Sequence, residues 1–265
     1  MKRVVLFLAA AGLTTMTVFG QKKETRPVSG FTGIDASGAF DITVSKGGAA
    51  SLTIEADDEV MALVRSEVRN GVLHLYLENA NIRNIKTLKA SVVMQNLDKV
   101  SLSGACKLTA NDLFTPDRFK GDCSGASNLT VNVNTGELSI EASGASKIWM
   151  NSNVNGDAKL DVSGTSKIQG ELKAANAKFS FSGVSSIDVT GSATDIKINS
   201  SGTSKVNAAN FTVRTASVES SGTSKITLHV TDALKVNSSG SSSVDYKGSP
   251  TIEAKTGGAS KVRKI

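Results

Sequence analysis

Along residues 101–265, apolar and polar residues alternate in short runs, and each run breaks at a glycine. Superposing the runs on Gly104, Gly125, Gly144, Gly164, Gly183, Gly202, Gly222, Gly240 and Gly258 gives spacings of 21, 19, 20, 19, 19, 20, 18 and 18 residues. Gly38, in "SGAFDITV", stands in the same frame. Four residues after these glycines lie Leu108, Leu129, Ile148, Ile168, Ile187, Val206, Ile226, Val244 and Val262. Four before lie Val100, Gly121, Ile140, Leu160, Phe179, Ile198, Val218, Val236 and Ala254. Two before lie Leu102, Cys123, Ala142, Val162, Phe181, Ser200, Ser220, Ser238 and Thr256. Even-numbered offsets share one face of a strand. These residues therefore stack as ladders if successive repeats lie side by side. A self-similar period near 19 residues marks a solenoid. Units rich in Ser, Thr, Val and Asn are built from strands rather than helix pairs. The expected fold is all-β, a right-handed parallel β-helix (β-solenoid) with rungs of about 19 residues.

The phrase "SGTSK" recurs at Ser163–Lys167, Ser201–Lys205 and Ser221–Lys225, with "SGASK", "SGVSS" and "GGASK" between and beyond. Its glycine reads as a corner, where positive φ or close backbone approach excludes a Cβ. Two residues on, Cys106 is followed by Ser127, Ser146, Ser166, Ser185, Ser204, Ser224, Ser242 and Ser260. A catalytic serine would be singular. A ladder of eight reads as structural, each buried hydroxyl bonding a neighbour or a turn amide.

The first third repeats less clearly. Ile34 to Val44 and "SLTIEA" alternate as strands. "DDEVMALVRSEV" predicts a short helix after its acidic start. "NGVLHLYLEN" predicts a turn followed by a strand. The division expected is a signal peptide at 1–20, a short flexible lead at 21–30 and a single solenoid domain at 31–265. Within that domain, 31–100 form irregular N-terminal coils and a cap, and 101–265 form the regular rungs. The leader rests on Lys2 and Arg3, the apolar run after them and small residues before Gln21. No later run is long enough and apolar enough for a membrane helix.

Charge then narrows the partners. Without Lys2 and Arg3, 28 basic residues face 24 acidic ones, a net +4. That balance and the 5% aromatic content do not suit nucleic acid. His74 and His229 are far apart in the chain and suggest no acid–base pair. "ADDE" at Ala56–Glu59 supplies negative charge to a helix start rather than a calcium site. No cofactor or metal site is expected. Cys106 and Cys123 fall in neighbouring rungs at different ladder positions, and both a disulfide and two buried thiols are open.

One surface row stands out. Three residues after the glycines lie Lys107, Asn128, Lys147, Lys167, Ser186, Lys205, Lys225, Ser243 and Lys261. The six lysines read either as a solvated face that discourages sheet stacking, or as a cationic strip for a regularly charged polymer. Asp122, Glu141, Asp161 and Glu219, three before their glycines, are expected to offset part of this charge.

The order "FTGIDASGAFDITVSKGG", "SLTIEADDEV", "VRNGVLHLYL", "LDKVSLSGACKL" and "SVDYKGSP" resembles the head GIN domain family, named for auto-transporter adhesins, from about residue 30 to the end. The resemblance implies a β-helical fold and, through the family's name alone, adhesion. It offers no catalytic motif, and no membrane-barrel segment follows the repeats. The function expected is that of an exported, non-enzymatic binding or structural module of the cell envelope. Its partner would be a cell-surface glycan or an envelope protein. Its location would be the periplasm, the outer-membrane surface or the medium. The alternatives are a polysaccharide-binding or polysaccharide-active β-helix protein, and a periplasmic scaffold without adhesive role.

Overall fold

The computed structural model describes residues 21–78 and 85–265. The expected signal peptide lies outside them. The chain is a parallel β-solenoid whose strands form one continuous hydrogen-bonded network. From residue 99 to Val154 each rung is a shorter strand, a glycine corner and a longer strand. Arg118–Cys123 followed by Asn128–Thr135 is one such rung, and Glu137–Ala142 followed by Lys147–Val154 is the next. From Lys167 to Ser238 single strands of 14 to 16 residues run from one corner to the next. The pairing is parallel and in register, so Leu129 lies beside Leu108 and Ile148, and Ile140 beside Gly121 and Leu160.

The core is the set of ladders the alternation predicts. From Leu108 to Val244 the residues four past each glycine are at most 2% exposed. The last rung differs. Ala254 and Thr256 occupy inward positions yet are exposed, because Thr251–Thr256 stacks on one neighbour only.

The glycines stack directly upon one another. Each has positive φ, and a Cβ built on any of them would lie 2.4 to 2.8 Å from the carbonyl oxygen of the glycine in the rung before. The amide that follows each glycine donates to that same oxygen at 2.6 to 2.8 Å. Side chains are thus excluded by a hydrogen-bond ladder that needs the rungs in close contact.

The buried serines complete the corner. Ser146, Ser204 and Ser242 donate to the carbonyls of Ser143, Ser201 and Ser239, three residues earlier, at 2.7, 3.1 and 3.1 Å. Ser127 does the same to Ser124. Ser166 accepts from the Ser146 amide at 3.3 Å and Ser224 shares a hydrogen bond with the neighbouring Ser200 hydroxyl at 2.8 Å, so the ladder uses a turn amide and a neighbour, as expected, and turn carbonyls as well.

The N-terminal part departs from simple coiling. It comprises β1 (Gln21–Arg26), β2 (Gly33–Gly38), β3 (Asp41–Lys46), β4 (Ser51–Asp57), α1 (Asp58–Met61), β5 (Val64–Arg69), β6 (Val72–Leu77) and β7 (Leu88–Met94). The next rung is β8 (Lys99–Gly104) with β9 (Lys107–Phe114). It stacks on β2 and β3, with Ile34 beside Val100 and Ile42 beside Leu108. The intervening β6 and β7 stack on the opposite side of β2 and β3. The chain therefore lays one rung, steps back to build another behind it, and then passes forward. Antiparallel strands close this end: β5 on β6 through the Asn70–Gly71 turn, β4 on β7, and β1 on β4. Residues 21–30 are thus not simply a flexible lead. Six of them form the edge strand β1, "QKKETR", whose charges blunt an open edge. The helix is a single turn, because Val64 onward alternates and pairs with β6.

Candidate functional site

The nine positions of the lysine row stack one on the next, with neutral Asn128, Ser186 and Ser243 interrupting the lysines. Asn128 lies between Lys107 and Lys147, Lys147 beside Lys167, Lys167 beside Ser186, and Ser186 beside Lys205. Lys205 lies beside Lys225, which meets Ser243, and Ser243 meets Lys261. The corner glycines fix the start of every longer strand, so the third position after each faces the same way. Lys107 has an acidic neighbour, with Asp41 at 3.8 Å. Among the described residues, Lys147, Lys167, Lys205, Lys225 and Lys261 form no ion pair. Like charges directly opposite one another destabilise a sheet. The pairs Lys147–Lys167 and Lys205–Lys225 carry that strain, with no ion pair to a carboxylate among the described residues.

The sheet preceding the corner differs in that most of its lysines, though not Lys99 or Lys178, form ion pairs among the described residues. It carries a second lysine row five residues before the glycines, at Lys99, Lys120, Lys159, Lys178, Lys197 and Lys235. The carboxylates expected to offset the first row pair with this second one instead. Lys120 reaches Asp122 at 3.3 Å and Glu141 at 3.8 Å, and Lys197 reaches Glu219 at 3.2 Å. Lys159 pairs with Asp161, whose hydrogen bond and charge raise the lysine's pKa. Residues two apart share a strand face, so acid and base on this sheet find one another. The second row was legible in the same alignment that gave the first. Beside these carboxylates runs a groove of about 770 Å³ along Ser124, Ser143, Ser163, Ser182, Ser201 and Ser221.

The remaining candidates are not brought together. His74 lies 3.8 Å from Asp35 in the closed end, and His229 is 3.1 Å from the Thr212 hydroxyl near the other end. Asp57 accepts hydrogen bonds from the amides of Lys86 and Thr87, while Asp58 and Glu59 sit in the first turn of α1. Among the described residues no three His, Cys, Asp or Glu side chains converge. Cys106 and Cys123 are buried free thiols. Burial raises the pKa of both, that of Cys123 to about 12.

One exposed residue was missed by reading lysines alone. Trp149 stands two residues beyond Lys147 on the same outward face and is 47% exposed. Its odd position in the frame was the available signal.

Among the described residues no helix is long and apolar enough to cross a membrane. No curated relative matches the chain. Solved structures with the same fold include a "putative adhesin" from Parabacteroides merdae, at 20% identity and a TM-score of 0.68, covering 92% of this chain and 96% of that one. A "putative lipid binding protein" from Parabacteroides distasonis gives 18% identity and a TM-score of 0.66, over 92% and 96% of the two chains. A "putative adhesin" from Bacteroides fragilis gives 21% and 0.54, over 93% and 97%. At such identities these likenesses speak for the fold. The model of the family described as "Putative auto-transporter adhesin, head GIN domain" matches residues 30–156 and 150–250. Its two matches together cover residues 30–250, well over half of the chain, so the chain belongs to the head GIN domain family.

Proposed function

We propose that this protein is an exported, non-enzymatic binding module of the cell envelope, which holds anionic surface polymers along its lysine row. The observation that carries the reading is the contrast between the two rows. The sheet before the corner pairs four of its six lysines with neighbouring acids, and the sheet after it pairs one of six, leaving five in line without an ion pair among the described residues. A solvated face needs no such asymmetry. A linear field of one sign attracts a polymer of the other. The pairing of Asp122, Glu141, Asp161 and Glu219 with lysines also argues against their service as a free acid and base, and so supports a non-enzymatic role.

A second reading has one observation in its favour. A groove of about 680 Å³ on the sheet before the corner has an apolar floor of Ala158, Ala177, Ile196 and Ala216, with Lys159, Lys178 and Lys197 along it. Apolar floor and basic rim would suit an anionic lipid.

The test takes the chain from Gln21, which holds every described element, and screens it on neutral and anionic glycans at low and moderate salt. Wild type should bind anionic members and weaken with salt, and the Lys147→Glu, Lys167→Glu double variant should lose them. Binding indifferent to both salt and substitution would return the row to solubility.

A further inference from the structure

We infer that Trp149 and the lysines beside it form a sugar-stacking platform, so that the polymer held by the row is a polysaccharide of acidic pyranoses. This inference rests on the polyanion reading above and adds the chemistry of the ligand.

The platform follows from strand register. Trp149 is the chain's one tryptophan. It lies between Thr130 and Gln169 in the adjacent rungs, both smaller or more flexible than an indole. Inward-facing Ile148 and Met150 are at most 2% exposed and fix the strand on which it stands. Lys147 and Asn151 flank it along that strand on the same face, and Lys167 lies one rung beyond Lys147. A large aromatic surface is thus left in water on the outward face of the strand. Exposed indoles present an apolar face with polar groups at the rim. A pyranose has the complementary form, with apolar C–H groups on its faces and hydroxyls around its edge. A carboxylate or sulfate at that edge would meet Lys147 and Lys167. The hydroxyls would meet the amides of Gln169 and Asn151, both free of hydrogen bonds to other side chains among the described residues. A polyphosphate has no ring to stack, and a lipid headgroup would require the neighbouring floor to be apolar, whereas Thr130, Gln169 and Asn151 are polar.

The experiment titrates the chain from Gln21 with polygalacturonate, neutral dextran, inorganic polyphosphate and phosphatidylglycerol vesicles. Fluorescence excited beyond the absorption of the two tyrosines reads Trp149, and calorimetry gives the affinity. Polygalacturonate should shift the emission. Trp149→Ala should weaken that binding about fivefold to tenfold, with Trp149→Phe between the two. Polyphosphate should bind through the lysines, and its affinity should not change in Trp149→Ala. Dextran should bind weakly or not at all. Equal polygalacturonate affinity in wild type and Trp149→Ala, with loss in Lys147→Glu, Lys167→Glu, overturns the platform and leaves the cationic row standing. Vesicle binding that needs Trp149, without polygalacturonate binding, overturns the sugar ligand. If neither polyanion binds, the cationic row falls and the platform with it.

Discussion

Replacing Gly164 by alanine probes the corner stack where it is tightest. The new Cβ would sit 2.4 Å from the carbonyl oxygen of Gly144, and Gly164 has φ of +68°. Two costs add. A left-handed backbone costs a residue with a Cβ about 1–2 kcal/mol. Relief of the clash must part the two rungs, which breaks the Thr165 amide's hydrogen bond to that oxygen, now 2.7 Å. Gly144 and Thr165 are exposed, so losing this hydrogen bond to water costs about 0.5–1.5 kcal/mol more. Gly30 supplies the control: its φ is +69° and nothing lies within 4 Å of a Cβ built on it. Gly30→Ala should therefore lose only the backbone share, and Gly164→Ala should lose about 1 kcal/mol beyond that. Urea unfolding of the two variants beside wild type gives the comparison. Because repeats couple to their nearest neighbours, hydrogen exchange should quicken at the Thr165 and Val184 amides before it does at distant rungs. Equal destabilisation by the two substitutions would show that the corner glycines serve conformation alone, and that rung contact is not what excludes the side chain.

Ser146→Ala should cost about 1 kcal/mol in the same assay, because the Ser143 carbonyl loses its donor, whereas Ser185→Ala should be neutral or stabilising, since the Ser185 hydroxyl is buried without a partner. Phe179→Ala should cost about 3–5 kcal/mol, measured by thermal melting, as this fully buried ring packs against Phe181 and Phe211 at 6.5 and 6.0 Å between centroids. Native chain should leave a thiol reagent unreacted at pH 8, with two thiols per chain released on denaturation. The folded Cys123 keeps its proton to about pH 12 while the unfolded thiol releases it from about pH 9, so stability should fall as pH rises across that window, and Cys123→Ser should flatten the fall.

The regular rungs were legible because period two and the glycine corner repeat together, so that Leu129, Ile148 and Ile168 announce one ladder. The order of stacking at the closed end was not. Strands β6 and β7 alternate like any others, and nothing in their composition says that they lie behind β2 and β3. Parallel pairing joins residues far apart in the chain, and local pattern carries no record of which neighbour a strand will choose. The strand at Gln21–Arg26 was hidden for a related reason: "QKKETR" has the charge of a free lead, and its pairing with β4 comes from the partner. At the candidate site, the lysine positions followed from the frame. Which lysines find an acid did not, because that depends on residues two places away on the same face.

The closed end and the repeating end differ in what they permit to change. The antiparallel strands around β6 and β7 form a terminus of fixed composition, to which no rung can be added without displacing β4 or β5. Past β9 each rung touches only the one before and the one after. Duplicating a stretch of about 19 residues there would lengthen the rod by one strand spacing, about 4.8 Å, and leave the terminus untouched. Where the duplicated corner ends in lysine, the same event adds one charge to the row. Reach and valency would then be inherited as a single unit, and a lineage could tune how firmly the rod grips a long polymer by copying DNA rather than by redesigning a surface.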